Sequence, residues 1–339
     1  MRQVCRVHLR ALCLWAGCFG SMALPIATQA QVTVDPALPD YQAVPGVSGT
    51  VKSVGSDTMN NLMTLWLEGF RRFYPNVRPE IEGKGSSTAM PALISGAASF
   101  GPMSRPVKAS ESDEFEKRFG YKPTQLVTSI DLLAVFVNNN SPLKSLTMPQ
   151  VDAIFSKQRK LGAPVDLRTW GQLGLSGAWA SAPISAYGRN AASGTYGYFK
   201  EHALGKGDFK DSVKEQPGSS AVVQAVGRDR YGIGYSGVGY VTPQVRPLPL
   251  AADDESEPVP PEKDHAYSGD YPLARGLLLV LSQPPGKELD PLRREFVRYV
   301  FSKQGQQDVI KDGYLPVTAE MAQETLRMLS LDKTSSDKP

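Results

Sequence analysis

Cysteine and histidine are scarce in this sequence, with three of each among 339 residues. The cysteines, Cys5, Cys13 and Cys18, all lie in the first 18 residues. If that segment is removed, the remaining chain has no disulfide, no thiolate nucleophile and no cysteine-ligated metal. Only His202 and His265 follow it, far apart in sequence, so no metal site and no cofactor is predicted. A Ser-His nucleophile is disfavoured for the same reason, whereas a Ser-Lys arrangement stays open.

The sequence also lacks an apolar run long enough for a membrane span. Arg2, Arg6 and Arg10 precede an apolar stretch, but glycines and Pro25 interrupt it before the roughly 20 residues that a span needs. A basic start, an apolar middle and a small-residue end predict a secretory signal cleaved after Ala30. A lipoprotein signal ending at Cys18 is a second interpretation, in which Trp15 stands where an aliphatic residue is expected.

Beyond residue 30, the chain has no excess of charge of either sign. The first 30 residues hold three of the 37 lysines and arginines and none of the 34 acidic residues, which leaves 34 of each. A balanced chain gives no compositional reason to expect a nucleic-acid partner or an acidic membrane surface. The remaining length, about 300 residues, is enough for one large or two ordinary domains.

Short apolar strands alternate with helical stretches from Val51 onward, which is the pattern of an α/β fold. Residues 58–73 have apolar side chains at spacings of three and four, which predicts a helix. The apolar segments 131–139 and 271–282 are predicted to be buried strands. Residues 251–270 are acidic and rich in proline, which indicates an exposed excursion between elements.

Three segments share one order: a strand, a turn rich in glycine and serine, and the start of a helix. They are VKSVGSDTMNN (51–61), IEGKGSSTAM (81–90) and SAYGRNAASGTYGYF (185–199). Each turn places free backbone N–H groups and hydroxyls at the positive end of a helix dipole, where anions bind. One such turn is ordinary helix capping, but an α/β sheet gathers three strand-end loops into one crevice. Arg189 adds a fixed positive charge, so the pattern predicts a site for a small anion.

Residues 232–237, GIGYSG, match the dinucleotide-binding pattern GxGxxG. That fingerprint must open a helix, whereas the residues that follow, VGYVTPQVRPLP, are strand-like and end in prolines. The segment is therefore interpreted as a glycine-rich strand pair.

The order of GSDT, GKGSST, ASFGPMSRP, GRNAASGTYGYF and GIGYSGVGY resembles the PstS-like family, the periplasmic phosphate-binding proteins of the bacterial phosphate ABC importer. The resemblance extends from about Val51 to Leu331. It implies an α/β, type II periplasmic-binding-protein fold, in which two lobes close on inorganic phosphate. It also implies a periplasmic binding protein, not an enzyme, which delivers phosphate to an inner-membrane ABC permease; we expect a monomer.

The resemblance implies phosphate-binding residues in the loops that follow the strands. They are Asp57 and Thr58 in the first loop, Ser86 and Ser87 in the Gly-Ser-Ser loop, Ser104 after the third strand, Arg189, and Ser193, Gly194 and Thr195 at the start of a helix.

Two positions depart from the family pattern. In the best-known members an aspartate stands where this chain has Ser104, and it accepts the proton that phosphate carries and sulfate lacks. A second aspartate, which orients the arginine, falls on Ala191. We hypothesise that Asp57 replaces the missing acceptor; the alternative is that Asp57 only caps the helix starting at Thr58. Arg105, next to Ser104, either adds positive charge to the site or is an exposed surface arginine, and the second interpretation is favoured.

Two alternatives remain for the function. A secreted phosphatase-like enzyme would use Ser193 or Thr195 as its nucleophile, but no histidine cluster or Asp-x-Asp pair lies near the loops. A binder of another tetrahedral oxyanion, such as sulfate, would keep the class and change the ligand.

The apolar strands that leave and re-enter the first lobe set the expected domain boundaries. The division is a signal peptide (1–30), a flexible, proline-rich leader (31–48), a discontinuous lobe 1 (49–132 plus 271–331), lobe 2 (133–270) and a tail (332–339).

Overall fold

The computed structural model describes residues 32–331, so the predicted signal peptide, its cysteines and the tail lie outside the described residues. Strands and helices alternate along this part of the chain, as expected of an α/β fold. The strands are β1 (Gly49–Val54), β2 (Val77–Glu82), β3 (Gly101–Met103), β4 (Thr124–Asn138), β5 (Leu146–Thr147), β6 (Ser185–Arg189), β7 (Lys214–Gln216), β8 (Gly232–Gly237), β9 (Val245–Pro247), β10 (Leu250–Ala251), β11 (Ala274–Leu281) and β12 (Leu315–Pro316). The helices are α1 (Asn60–Phe73), α2 (Ala89–Ser95), α3 (Ala109–Phe119), α4 (Met148–Phe155), α5 (Gly194–His202), α6 (Ser219–Arg228), α7 (Lys263–Ser268), α8 (Pro291–Val300), α9 (Lys303–Lys311) and α10 (Ala319–Met328).

One long strand, β4, lies at the centre of the largest sheet and changes neighbours along its length. Up to Leu132 it pairs antiparallel with β11, and from Leu133 to Val137 it pairs antiparallel with β8. Strand β3 extends the sheet beyond β11, and β6 and β7 extend it beyond β8. The parallel pair β1 and β2 lies beside β3 through a bridge between Ser53 and Phe100. A single continuous strand therefore runs through both halves of the sheet.

Buried apolar side chains form separate cores in the two halves. The first half draws its core from residues 38–126 and 277–331, and the second half from residues 132–273 together with Leu315. The two sets meet where β4 changes neighbours, between Leu132 and Leu133.

Helix α1 forms as its apolar spacing predicts and belongs to the first half. Its inner face is fully buried through Leu62, Met63, Trp66 and Phe70. The indole Nε1–H of Trp66 donates to the carbonyl of Gly305 at 2.8 Å, so the polar N–H of this buried ring has a hydrogen-bond partner. Burial of each large side chain contributes roughly 1.5–3 kcal/mol, so the start of α1 and the loop before it are held firmly in place.

The prediction of a flexible leader is wrong for the part that the structure describes. Residues 32–48 form neither helix nor strand, yet Leu38, Tyr41 and Val47 are buried. The hydroxyl of Tyr41 lies 2.8 Å from that of Tyr74 and donates to Glu295 Oε2 at 3.0 Å. Three isolated apolar residues without a period give no helix or strand signal, but they suffice to fasten an irregular segment to the first half.

Other expectations about single segments can be compared with the structure. Residues 232–237 form the buried strand β8, which confirms a strand here. The interpretation as a strand pair is wrong, because residues 238–240 form one turn of 3₁₀-helix and β8 pairs with β4 and β6. Residues 252–258 are exposed, as expected of the acidic excursion. The rest of the range 251–270 differs from that expectation, because Ala251 is a buried residue of β10 and residues 263–268 form α7 with Ala266 buried. Within residues 32–331, no helix combines the length and the apolar character needed to cross a bilayer.

Candidate anion-binding site

Serine hydroxyls of the first half converge at the carboxyl ends of β1, β2 and β3. Ser56 Oγ donates to Ser104 Oγ at 3.0 Å, and Ser104 Oγ lies 3.3 Å from Ser86 Oγ. The backbone N–H of Ser104 also donates to Ser86 Oγ at 3.0 Å. All three serines are buried. The structure thus brings the first two predicted loops together with Ser104, and adds Ser56, which the sequence analysis did not single out.

Loops of the two halves are in direct contact at this point. Thr58 Oγ1 lies 2.9 Å from Thr195 Oγ1, and both side chains are buried. Ser87 donates from its backbone N–H and its hydroxyl to the carbonyl of Ala192, at 3.2 and 3.0 Å. Both hydrogen-bond donors of Ser87 therefore bind the opposite loop, and the cleft between the halves is closed.

The second half contributes the N-terminus of α5. Ser193 is the N-cap residue, and its hydroxyl accepts from the backbone N–H groups of Thr195 and Tyr196 at 3.1 and 3.4 Å. Its neighbour Gly194 faces the serines of the first half so closely that a Cβ there would lie 2.1 Å from Ser86 Oγ and 2.5 Å from Ser104 Oγ. The missing side chain thus lets a positive helix end meet the hydroxyls across the cleft.

Arg189, at the carboxyl end of β6, supplies the cation that the sequence predicts. Its side chain is 2% exposed, and Nη1 donates to Ser219 Oγ at 2.8 Å. Nη2 lies 3.3 Å from Asp57 Oδ2 and 3.4 Å from the carbonyl of Pro217. Among the described residues its buried Nε has no hydrogen-bond partner. Burial lowers the pKa of Arg189 and the Asp57 carboxylate opposes that shift, but a guanidinium stays protonated.

Asp57 bridges the halves instead of capping its own helix. Helix α1 begins at Asn60 and has no side-chain cap, so the helix-capping alternative for Asp57 is wrong. Asp57 Oδ2 accepts from the first backbone N–H of α6, that of Ser219, at 3.1 Å, and it also contacts Arg189. Its Oδ1 makes no hydrogen bond to any described residue. Asp57 therefore contacts the arginine that, in the family pattern, an aspartate at the position of Ala191 would orient.

Sequence reasoning missed the ion pair of Arg275 and Asp131 behind the cleft. Arg275 Nε and Nη2 donate to Asp131 Oδ2 at 2.9 and 2.7 Å, and Asp131 is fully buried. Burial raises the pKa of Asp131, and the charge of Arg275 opposes that shift. A signal was available, since each predicted buried strand carried one charge of opposite sign, and buried charges need partners.

Ser219 was also missed, although Gly-Ser-Ser before an apolar helix repeats the pattern of the other loops.

The interpretation of Arg105 as a surface residue is wrong, because this side chain is 7% exposed and pairs with Glu111 at 2.6 and 2.8 Å. Glu111 neutralises its charge, so Arg105 adds none to the site.

The arrangement suits a small oxyanion. Serine and threonine hydroxyls and the N-terminus of α5 meet where the loops of the two halves touch, and Arg189 contacts Asp57 of the first loop. Groups of these kinds can replace the hydration shell of an anion. Within residues 32–331, no group of histidine, cysteine and acidic side chains could hold a metal ion.

Comparison with known proteins identifies the relatives of this chain. Residues 41–304 match the model of the PBP superfamily domain. The phosphate-binding protein PstS of Pseudomonas aeruginosa is 51% identical over 305 residues, which are 90% of this chain and 94% of that protein. The phosphate-binding protein PstS of Staphylococcus haemolyticus is 26% identical, over 86% of this chain and 89% of its own.

Solved structures agree on the fold. An ABC-type phosphate transport receptor from Vibrio cholerae aligns with a TM-score of 0.60 at 20% identity, over 79% of this chain and 100% of the other. This likeness concerns the fold alone, and it confirms the α/β periplasmic-binding-protein fold expected from the sequence. Since the superfamily model matches most of the chain and a full-length relative is 51% identical, the chain belongs to the PBP superfamily and, within it, to the PstS family of phosphate-binding proteins.

Proposed function

We propose that this protein captures inorganic phosphate between two lobes and delivers it to an inner-membrane ABC permease. The observation that carries the proposal is Arg189, a buried guanidinium whose Nε is unpaired among the described residues, beside the serine loops and the N-terminus of α5. Micromolar binding needs about 8 kcal/mol, and charge-assisted hydrogen bonds contribute roughly 1.5–3 kcal/mol each. Half a dozen such donors are enough, even after the cost of association.

The proposed binding-site residues are the nine implied by the family resemblance. Seven of them belong to loops that meet between the halves and are proposed to contact phosphate, whereas Ser87 donates to Ala192 and is proposed to join the loops. Asp57 is the ninth, and its proposed role is to accept the phosphate proton through Oδ1 while Oδ2 contacts Arg189.

The lobes are proposed to be residues 49–132 with 271–331, and residues 133–270. The separate cores support this division, as does the change of partner along β4 between Leu132 and Leu133. The packed leader adds residues 32–48 to lobe 1. The proposed contacts come from both lobes, so closure and binding are one event.

The proposed location is the periplasm, reached through the N-terminal signal segment, and the proposed state is a monomer. The curated relatives are named as binding proteins, which favours capture over a phosphatase-like reaction at Ser193 or Thr195. Sulfate or another tetrahedral oxyanion is the competing ligand, because Ser104 replaces the family's usual proton acceptor.

Calorimetric titration of the mature, phosphate-stripped protein tests the proposal, first with phosphate and then with sulfate, at pH 6 and pH 8. We expect a phosphate Kd in the micromolar range or below and a sulfate Kd at least a hundredfold higher at both pH values. Sulfate binding as tight as phosphate binding would make the protein a receptor for another oxyanion, and no heat with either anion would refute the proposal.

Gly194→Ala is expected to weaken phosphate binding about a hundredfold. The new methyl group would collide with Ser86 and Ser104 across the cleft, and overpacking of this kind costs about 1–3 kcal/mol. Titration calorimetry measures the loss. Gly197→Ala is the matched control one turn along α5, because its Cβ would lie 3.2 Å from the nearest atom, in the side chain of Arg105 across the cleft, which is not a collision. Equal affinity of the two variants would show that the lobes need not approach so closely.

A further inference from the structure

Arg275 holds both sides of the closed cleft at once. Its Nη1 donates to the carbonyl of Ser104 at 2.8 Å, and its Nη2 donates to Thr195 Oγ1 at 3.0 Å. Ser104 follows β3 in lobe 1, and Thr195 lies in the first turn of α5 in lobe 2. Arg275 itself belongs to β11 of lobe 1, so its bond to Thr195 crosses between the lobes.

Asp131 fixes the guanidinium in the one orientation that reaches both loops. Its Oδ2 accepts from Nε and Nη2 of Arg275, so four of the five guanidinium N–H groups have assigned acceptors. Both side chains are at most 2% exposed. A buried ion pair adds little net stability compared with apolar residues of the same size, so stability alone does not explain the pair. A planar fork with four fixed bonds is a positioning device that lysine cannot reproduce.

The bond from Arg275 also bears on which way the threonine hydroxyls point. Each hydroxyl has one O–H and two lone pairs, and Arg275 occupies one lone pair of Thr195. The positive charge of Arg275 favours hydroxyl groups whose hydrogen atoms point away from Arg275. Thr195 then donates to Thr58, 2.9 Å away, and Thr58 keeps its own O–H for an anion in the cleft.

We propose that Arg275 is a positioning residue that latches the cleft in its closed state and turns the Thr195–Thr58 pair into a donor toward the bound anion. The proposal rests on the proposed function, because the latch acts on the phosphate-loaded protein. It requires no contact between Arg275 and phosphate. Its main consequence is kinetic: the latch forms on closure, so it slows phosphate release without speeding phosphate capture.

Arg275→Lys in the full mature protein is the first test. Lysine keeps the charge, but its three donors on one nitrogen cannot reproduce the four bonds that the planar fork of Arg275 makes. Association and dissociation rates are measured with radiolabelled phosphate, and closure is followed by the change in radius of gyration on adding phosphate. We expect the dissociation rate to rise at least tenfold, the association rate to stay within threefold, and the closure change to shrink.

Arg246→Lys is the matched control. Arg246 on β9 also donates to backbone carbonyls, those of Ser141 and Leu143, in a loop that contributes nothing to the cleft. It should keep the wild-type rates. Thermal unfolding of both variants identifies a purely structural effect, which would lower the melting temperature and leave the dissociation rate unchanged.

A second variant keeps the test decisive if Arg275→Lys does not fold. Arg275→Met combined with Asp131→Leu removes both buried charges and leaves none unpaired. A dissociation rate within twofold of wild type, in either variant, would overturn the latch. So would a slower association rate with an unchanged dissociation rate, since that pattern belongs to simple charge attraction. Failure of the wild-type protein to bind phosphate would refute the proposed function instead.

Discussion

Arg189→Met is expected to raise the phosphate Kd about a thousandfold or more, the largest effect of any single substitution in this protein. Methionine removes the buried cation and at least two charge-assisted donors, worth roughly 1.5–3 kcal/mol each. It also leaves the carboxylate of Asp57, now 3.3 Å from Arg189 Nη2, without a cation beside the bound anion. Titration calorimetry with phosphate measures the loss, and Arg246→Met away from the cleft should bind as wild type.

The double variant Arg189→Met with Asp57→Asn separates the two causes. If repulsion from Asp57 adds to the loss, the double variant should bind phosphate more tightly than Arg189→Met alone. A Kd for Arg189→Met within tenfold of wild type would mean that the anion does not bind beside Arg189.

Asp57→Asn is expected to lower the ratio of phosphate affinity to sulfate affinity at least tenfold. The amide oxygen of asparagine can still accept from the backbone N–H of Ser219, so the bridge to α6 survives. The amide nitrogen can only donate, so the acceptor for the phosphate proton is lost while sulfate gains a donor. Parallel titrations with phosphate and sulfate at pH 8 measure the ratio.

Asp35→Asn is the matched control for this substitution. Asp35 Oδ2 accepts from the first backbone N–H of α10, that of Ala319, at 2.8 Å, as Asp57 does at α6. It lies in the packed leader and should leave both affinities unchanged. Equal losses of phosphate and sulfate affinity in Asp57→Asn would assign Asp57 to the orientation of Arg189 alone and leave Ser104 as the candidate acceptor.

Local pattern predicted the elements that carry the site. The period of α1 and the apolar runs of β4 and β11 depend on burial of one face or of a whole strand, and neighbouring residues report such burial. The glycine-serine turns were also predictable from the sequence, because backbone N–H groups at the start of a helix need small polar residues as partners wherever they occur. These signals located the first loop, the Gly-Ser-Ser loop and the loop of Arg189.

Contacts between residues far apart in sequence could not be predicted from local patterns. Arg275 and Asp131 are 144 residues apart, and only the register of β4 against β11 brings them together. Asp57 and Ser219 are 162 residues apart, so the sequence suggested a local cap for Asp57 where the structure has a bridge between the two halves. Tyr41 was missed for a related reason: it packs against rings of α1 and α8 without belonging to any periodic element.

Strand β4 has a consequence for how the molecule loses its structure. Its backbone hydrogen bonds hold β11 in the first half of the sheet and β8 in the second half, with no linker between them. Unfolding of either half would remove the strand that is hydrogen-bonded to one part of β4. It would also expose the apolar side chains of Leu133 and its neighbours to water. Because one strand serves both halves, we expect them to unfold in a single cooperative transition.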